Sequence, residues 1–162
     1  MTDPQLPMRT GLPAVVGTSP RVLILGSFPS EKSLDTGEYY ANARNQFWRL
    51  LGSALDFDAG LPYTQRIAAA TAAGAALWDV VHSCRRAGSM DANIDRKTLV
   101  LNNFDDFMGE HPSIERIFVN GLTAYELFER VPGERVATRL PSSSGAATMA
   151  FEEKLAAWAA VG

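Results

Sequence analysis

The sequence has a single cysteine, so it cannot form an internal disulfide. His82 and Cys84 lie two residues apart, but no second pair of ligands completes a metal site. No apolar segment reaches the roughly 20 residues of a membrane span, and no N-terminal stretch has the pattern of a signal peptide. These absences predict a cytoplasmic protein that binds no metal and no membrane.

The chain also lacks an excess of positive charge, since 15 lysines and arginines face 18 aspartates and glutamates, for a net charge of −3. Binding to nucleic acid through overall charge neutralisation is therefore not expected, and any DNA contact must be local. With 162 residues, of which 46% are hydrophobic and 20% charged, the composition is that of one domain. Prolines at positions 4, 7, 13 and 20 predict an irregular segment over residues 1–20, followed by a single domain over residues 21–162.

Three signatures of nucleotide and hydrolase sites are missing: G-x-G-x-x-G, G-x-x-x-x-G-K and G-x-S-x-G. Their absence argues against dinucleotide redox chemistry, P-loop phosphoryl transfer and an α/β-hydrolase nucleophile. Ser27, Asp79 and His82 are the residue types of a hydrolytic triad. Because Asp79 and His82 are only three residues apart on one segment, a loop is favoured over a triad.

Short apolar runs do occur, and they alternate with amphipathic segments. The runs predict four strands, over residues 21–25, 75–81, 116–120 and 135–140. Apolar residues at helical spacing predict helices over residues 45–55 and 151–158, and an Ala-rich stretch that stops at Gly74 predicts one over residues 61–73. This alternation predicts an α/β fold, a three-layer α/β/α sandwich around a central four-stranded parallel sheet.

Two further helix starts are marked by capping residues. Asn103 is a candidate N-cap for a short helix that carries Phe104 and Phe107. Thr123 and Glu126 have the spacing of a capping box, which predicts another helix directly after the third strand.

Polar residues follow the predicted strands at the edge where ligands bind in parallel sheets. They are residues 26–30, Asp79, Asn120 and residues 141–144. Taken alone, none of these loops carries a specific motif, so the edge predicts the place of a site rather than its chemistry.

Two stretches carry a more specific signal. Residues 26–34 read Gly-Ser-Phe-Pro-Ser-Glu-Lys-Ser-Leu, and residues 39–48 read Tyr-Tyr-Ala-Asn-Ala-Arg-Asn-Gln-Phe-Trp. They resemble the uracil-DNA glycosylase superfamily, most closely its hypoxanthine-DNA (deoxyinosine) glycosylase branch, with a G-S-x-P loop followed by Y-Y-A-x-P-R-N-x-F-W. Similar blocks follow in the same order at residues 76–81, 84–91, 120–124, 140–144 and 151–158, so the resemblance covers residues 21–158. Ala43 and Gly145 replace prolines of the family pattern.

The resemblance implies a monofunctional DNA glycosylase, which flips a deaminated base out of the duplex and hydrolyses its N-glycosidic bond to leave an abasic site. Hypoxanthine is the first candidate base, followed by uracil and xanthine. The expected partner is DNA, with no cofactor, no metal and no obligate protein partner, and we expect a monomer. The alternatives are a uracil- or mismatch-specific glycosylase and a non-catalytic protein that binds DNA lesions. A small-molecule nucleoside hydrolase is disfavoured by the Ser-rich loop at residues 142–144.

The resemblance assigns the catalytic role to Asn45, the Asn of the R-N-x-F-W block. A neutral amide cannot deprotonate water at pH 7, but its carbonyl oxygen can accept a hydrogen bond from the attacking water and fix it below the sugar. Asn42 is the alternative residue for this role. Asn45 also has the simpler interpretation of a helix cap.

The resemblance also implies residues that bind the flipped base. Tyr40 aligns with an aromatic residue that stacks on the base, and Asp79 with the position from which uracil enzymes read it. Asp79 would accept from N1–H of hypoxanthine or, if protonated, donate. Asn120 corresponds to a polar residue that borders the pocket. The alternatives are packing for Tyr40 and turn capping for Asp79 and Asn120.

The first loop is expected to contribute Ser27, Phe28 and Pro29 to substrate binding. Ser27 stands where mismatch-type relatives have an Asn, and Phe28 is expected to contribute a backbone amide or a pocket wall, with core packing as the alternative. DNA phosphates are expected to contact hydroxyl and cationic groups. The implied DNA-binding residues are Ser30, Ser33, Arg44, Ser142, Ser143 and Ser144, with Arg85, Arg86 and Arg139 as further candidates for a basic rim. A plain Ser-rich turn has the same pattern.

Overall fold

The computed structural model describes residues 6–162. Numbered along the chain, the strands are β1 Arg9–Thr10, β2 Val22–Gly26, β3 Ala75–Asp79, β4 Val81–Cys84, β5 Val100–Leu101, β6 Arg116–Asn120 and β7 Thr138–Leu140. The α-helices are α1 Glu31–Thr36, α2 Phe47–Leu55, α3 Tyr63–Ala72, α4 Phe104–Glu110, α5 Leu122–Phe128 and α6 Phe151–Trp158. Within residues 6–162, the helices lack the length and apolar character of a bilayer span.

The central sheet has the strand order β3-β2-β6-β7, and each neighbouring pair is parallel. Strands of such a sheet are buried on both faces, and β2 is buried along its whole length. The predicted four-stranded parallel sheet is therefore confirmed. Its fourth strand is shorter than predicted because the chain before Thr138 does not pair: Val136 is almost fully exposed, and Arg135 contacts Pro132 and Asp105 instead.

Helices cover both faces of this sheet. Successive side chains of a strand point to opposite faces, so each strand contributes to the core on both sides. Leu23 and Leu25 of β2 belong to one buried cluster with residues of α4 and α5. Val22 and Ile24 belong to the other cluster, with residues of α2, α3 and α6. Each fully buried large apolar side chain stabilises the fold by about 1.5–3 kcal/mol, so the two clusters hold the three layers together. The α/β/α architecture is confirmed.

A second, smaller sheet was not predicted. It has the order β1-β4-β5 with antiparallel pairing, and β1 pairs with Ser83 and Cys84. The predicted second strand over residues 75–81 therefore ends at Asp79, where the chain leaves the central sheet. The N-terminal segment also differs from the irregular lead-in expected over residues 1–20, since Val15 forms a bridge to Leu77. Residues 1–5 of that segment lie outside the described residues.

Helix ends show which local signals were informative. Asn103 caps α4 as predicted, since its side chain accepts from the backbone N–H of Asp106 at 3.1 Å. The predicted capping box of α5 is wrong, because its N-cap is Gly121 and no side chain caps it. Helix α1 was not predicted; Ser30 caps its start, and Gly37 ends it with a left-handed φ of 71°.

Candidate active site

A cleft of about 900 Å³ lies at the carboxyl ends of β2, β3 and β6, between the loops that follow the strands. It is lined by all the residues that the sequence assigned to the site: Ser27, Phe28, Pro29, Ser30, Ser33, Tyr40, Arg44, Asn45, Asp79, Asn120, Ser142, Ser143 and Ser144. Asn42, the alternative to Asn45, also lines it. The structure thus brings these residues together, while the role of each stays a prediction. A cleft of this volume has room for a small ligand such as a nucleotide.

One part of the cleft is built around Gly26, the last residue of β2. A β-carbon at this position would lie 2.5 Å from Asp79 Oδ1 and 2.8 Å from Tyr40 Oη, closer than van der Waals contact allows. Asp79 pairs with Gly26 across the parallel β2–β3 ladder, which brings its carboxyl to the same edge. Because glycine has no side chain, the carboxyl and the phenol can approach each other over the end of the sheet.

Substitution of Gly26 by alanine tests this arrangement. We expect Gly26→Ala to lower the free energy of unfolding by about 1–3 kcal/mol, because the Asp79 and Tyr40 side chains must shift. We also expect any reaction in the cleft to slow by more than tenfold, because each loss of roughly 1.4 kcal/mol of transition-state stabilisation lowers a rate tenfold. Gly109→Ala is the matched control, since a β-carbon there meets nothing within 4 Å. Thermal unfolding and reaction rates measure both effects; wild-type behaviour of Gly26→Ala would contradict the close approach.

Asp79 is a buried carboxyl group at the end of β3. Its side chain lines the cleft, the residue is 5% exposed, and Oδ2 has no hydrogen-bond partner. Burial, reinforced by the negative charge of Asp91 and opposed by Arg86, raises the pKa of Asp79 to about 7. At neutral pH the group is therefore partly protonated, and its buried Oδ2 meets no protein donor.

Tyr40 forms a rigid wall of the same cleft. Its ring stacks on Phe47 with 3.7 Å between centroids and an angle of 10° between planes. The backbone of Tyr40 has a φ of 54°, which is unfavourable for a non-glycine residue, so surrounding contacts must hold it. Burial and the charge of Asp79 raise the pKa of Tyr40, which keeps the phenol neutral. The stacking platform predicted from the sequence is compatible with this placement.

Ser33 contributes to holding that backbone. It is buried, and its hydroxyl oxygen accepts hydrogen bonds from Ser30 Oγ at 3.2 Å and from the N–H of Ala41 at 3.1 Å. The predicted phosphate contact of Ser33 is therefore not supported, because its hydroxyl braces the segment after Tyr40. Ser30 is half-buried and caps α1.

Asn45 lies two residues before the start of α2 and contacts the serine loop, residues 142–144. Its Oδ1 accepts from the N–H of Phe47 at 2.9 Å and from Ser143 Oγ at 2.8 Å. Asn45 is therefore not the N-cap of α2, which is Gln46, although its side chain does accept from the first N–H of the helix. The sequence analysis expected this oxygen to accept from water, but it already accepts from two protein donors. The side-chain amide nitrogen, Nδ2, has no partner among the described residues.

Asn120 clamps the serine loop to the end of β6. Its Oδ1 accepts from the N–H of Ser143 at 2.9 Å, and its Nδ2 donates to Ser143 Oγ at 2.8 Å and to Tyr40 Oη at 3.3 Å. Both amide hydrogens of Asn120 are therefore engaged by the protein. Ser143 is 1% exposed, so the predicted phosphate contact of this residue is not supported either.

The rim of the cleft holds the remaining predicted DNA contacts. Arg44 is exposed, and Ser142 and Ser144 are half-buried at the cleft surface. Gly145 lies so close to the backbone of Arg44 that a β-carbon at position 145 would be 2.6 Å from the carbonyl oxygen of Arg44. A proline ring at position 145, as in the family pattern, does not fit here without movement.

The first loop is tied to the segment that follows β4. Ser27 Oγ donates to Asp91 Oδ1 at 2.6 Å, and burial raises the pKa of Asp91 although this hydrogen bond opposes the shift. Arg86 is buried rather than part of a basic rim, because it donates to the carbonyl oxygen of Pro29 at 2.6 Å and stacks over Phe28. Phe28 belongs to a core cluster as well as to the cleft.

Asp91 and its neighbours Ser89, Met90 and Ala92 form a wall that the sequence analysis did not assign to the site. Asp91 reaches the cleft through its bond to Ser27, 64 residues away in sequence, which no local pattern reports. The only available signal was its place at the end of a block similar to the family. Within residues 6–162, no three His, Cys, Asp or Glu side chains come close enough together to hold a metal ion.

Comparison with known proteins agrees with this geometry. A family model of the uracil DNA glycosylase superfamily matches residues 13–161. A hypoxanthine DNA glycosylase of Methanosarcina acetivorans is 33% identical over 95% of this chain and 98% of its own length. One from Methanosarcina barkeri is 32% identical over 93% of this chain and 96% of its own length.

The fold has a solved counterpart. The solution NMR structure of a candidate uracil DNA glycosylase from Methanosarcina acetivorans superimposes with a TM-score of 0.81 at 33% identity, over 95% of this chain and 96% of that one. The sequence match, the parallel sheet and the cleft at its carboxyl edge lead to one conclusion: the chain belongs to the uracil DNA glycosylase superfamily.

Proposed function

We propose that this protein is a monofunctional DNA glycosylase that releases hypoxanthine from deoxyinosine in DNA, with uracil and xanthine as further candidate bases. The observation that carries the proposal is the cleft at the carboxyl edge of the sheet, where Asn45, Tyr40 and Asp79 converge. Membership of the superfamily and two similar proteins named hypoxanthine DNA glycosylase support it.

The proposed reaction breaks the bond between C1′ and the base. A water oxygen bonds to C1′, the base leaves with the electron pair of the glycosidic bond, and the water's proton goes to solvent or to the departing base. Because the sugar develops oxocarbenium character, positioned groups accelerate this step more than a strong nucleophile does. The products are the free base and an abasic site.

The cleft offers the groups that this reaction needs. The ring of Tyr40, supported from behind by Phe47, provides a flat surface for the base. In this proposal the carboxyl of Asp79, which lines the cleft and whose buried Oδ2 has no protein partner, accepts from N1–H of hypoxanthine when it is ionised. Asn45 is the catalytic residue in this proposal and positions the water; Arg44, Ser142 and Ser144 contact the DNA backbone at the rim.

A labelled duplex with one deoxyinosine, treated with alkali after incubation, tests the proposal. We expect strand scission at the deoxyinosine, no scission of the unmodified duplex, and no hydrolysis of free deoxyinosine. Parallel duplexes with uracil, xanthine and mismatched thymine rank the bases. The absence of scission at excess enzyme would contradict the proposal, and hydrolysis of the free nucleoside would favour a small-molecule hydrolase.

We further propose that the protein acts on DNA in the cytoplasm as a monomer, without a cofactor or an obligate protein partner. Sedimentation of the protein with and without lesion DNA tests this, and a dimer in the active complex would contradict it.

A further inference from the structure

We propose that Asn45 holds the attacking water by donating from Nδ2, and that Ser143 is the positioning residue that fixes the carboxamide in this orientation. This inference rests on the proposed function. It reverses the expectation that the carbonyl oxygen of Asn45 accepts from the water.

The orientation of the Asn45 carboxamide follows from its partners. A backbone N–H can only donate, so the side-chain atom that faces the N–H of Phe47 at 2.9 Å must be the oxygen. Exchange of Oδ1 and Nδ2 would place two donors against each other. The oxygen is thus turned toward α2 and the serine loop, and Nδ2 is the polar atom left for the cleft.

Ser143 adds a second constraint on the same oxygen. Its hydroxyl accepts from Asn120 Nδ2 at 2.8 Å, so its own proton is free to donate to Asn45 Oδ1 at 2.8 Å. Its backbone N–H is held by Asn120 Oδ1 at 2.9 Å. Because Asn120 is itself engaged at both amide atoms, the hydroxyl of Ser143 has one direction in which to donate, toward Asn45.

The donor role is compatible with the chemistry. A water molecule that accepts from Nδ2 through one lone pair keeps the other for C1′. In a transition state with oxocarbenium character, placing the water matters more than increasing its basicity. The same loop carries Ser142 and Ser144, so the grip on the DNA backbone and the orientation of Asn45 share one rigid segment.

A double-mutant cycle tests the role of Ser143. We expect Ser143→Ala to lower the single-turnover rate of hypoxanthine release about tenfold, a typical effect of losing one buried hydrogen bond, without changing the Kd for uncleavable lesion DNA. In the Asn45→Ala background the same change should have no further effect. A rate equal to wild type, or the same tenfold loss in both backgrounds, would overturn the proposal.

Two controls separate positioning from a general loss of stability. Ser113→Ala removes a hydroxyl that donates to the Pro20 carbonyl outside the cleft and should leave the rate unchanged. Asn45→Asp keeps an acceptor for Phe47 and Ser143 but replaces Nδ2 by oxygen. We expect Asn45→Asp to be folded and slow; if it releases hypoxanthine at the wild-type rate, the donor role is wrong.

A spectroscopic measurement separates this inference from the proposed function. The side-chain NH2 resonances of Asn45, identified by their absence in Asn45→Ala, should shift in Ser143→Ala and stay unchanged in Ser113→Ala. If the wild-type protein releases no hypoxanthine while this shift occurs, the proposed function fails and the Ser143 contact stands. If the resonances do not move, the positioning role of Ser143 is overturned.

Discussion

Asn45→Ala is expected to slow hypoxanthine release by about 10²- to 10³-fold, the usual effect of removing a group that positions or polarises reacting atoms. Binding of uncleavable lesion DNA should change little, because the substitution leaves Tyr40, Asp79 and the rim of the cleft in place. Single-turnover rates and a separate binding titration distinguish the two effects.

Asn45 also accepts from the N–H of Phe47, the first residue of α2, so a fall in stability must be separated from a fall in rate. Loss of the acceptor for the N–H of Phe47 should lower the free energy of unfolding by about 1 kcal/mol. Asn103→Ala is the control, because the Asn103 side chain also accepts from an N–H in the first turn of a helix, α4, outside the cleft. It should show the same loss of stability at the wild-type rate. Fast release by Asn45→Ala would transfer the catalytic role to Asn42 or Asp79.

Asp79→Asn is expected to remove a pH dependence from both activity and stability. The kcat/KM of the wild-type enzyme should rise as the pH increases through about 7, because Asp79 ionises there and its carboxylate accepts from N1–H of hypoxanthine. A hydrogen bond to a charged group contributes about 1.5–3 kcal/mol, so at pH 8 the variant should be roughly 10- to 150-fold slower. Its rate should lack the rise near pH 7.

The stability effect has the opposite direction. Because the folded pKa of Asp79, about 7, lies above the ordinary value of 3.8, the folded state binds the proton more tightly than the unfolded state. Stability therefore falls as pH rises from about 4 to 7, by up to about 4 kcal/mol from this group. Relative to wild type, Asp79→Asn should gain stability over this window.

Denaturant unfolding at several pH values measures this difference. Ionisable groups that interact with Asp79 include Asp91, Arg86, Tyr39 and Tyr40, and their identity is unchanged in the variant. Asp35→Asn, which removes an exposed carboxylate outside the cleft, should follow the wild-type profile. A constant stability difference between Asp79→Asn and wild type from pH 4 to 8 would contradict the raised pKa.

The central sheet was predictable because its inner strands are buried on both faces and read as continuous apolar runs, as β2 does. The edge strand β7, in which two of three residues are exposed, has the weakest pattern of the four. The small antiparallel sheet was not predictable, because β1 and β5 are two residues long and gain their partners only through the tertiary fold. Helix α5 was predicted at the right place, but its capping was not, because Thr123 and Glu126 lie inside the helix and its N-cap is Gly121.

The positions of the site residues were predictable, since parallel strands place the residues that follow them at one edge. Their contacts were not. In the sequence, Ser33 and Ser143 cannot be told apart from nearby serines at the surface. In the structure both are buried and form hydrogen bonds within the protein. Arg86 looked like part of a basic rim, but its guanidinium is held under the first loop by Pro29. Such contacts join residues that are far apart in the sequence, and composition and local spacing do not show which of them meet in the fold.

A crystal structure of the protein with a duplex containing 2′-fluorodeoxyinosine, whose glycosidic bond resists cleavage, tests the central claim most directly. We predict hypoxanthine against the ring of Tyr40, N1 at hydrogen-bond distance from Asp79, and a water about 3 Å from Asn45 Nδ2 below C1′. A base that stays stacked in the duplex, or an Asn45 side chain that contacts neither the nucleotide nor that water, would contradict it.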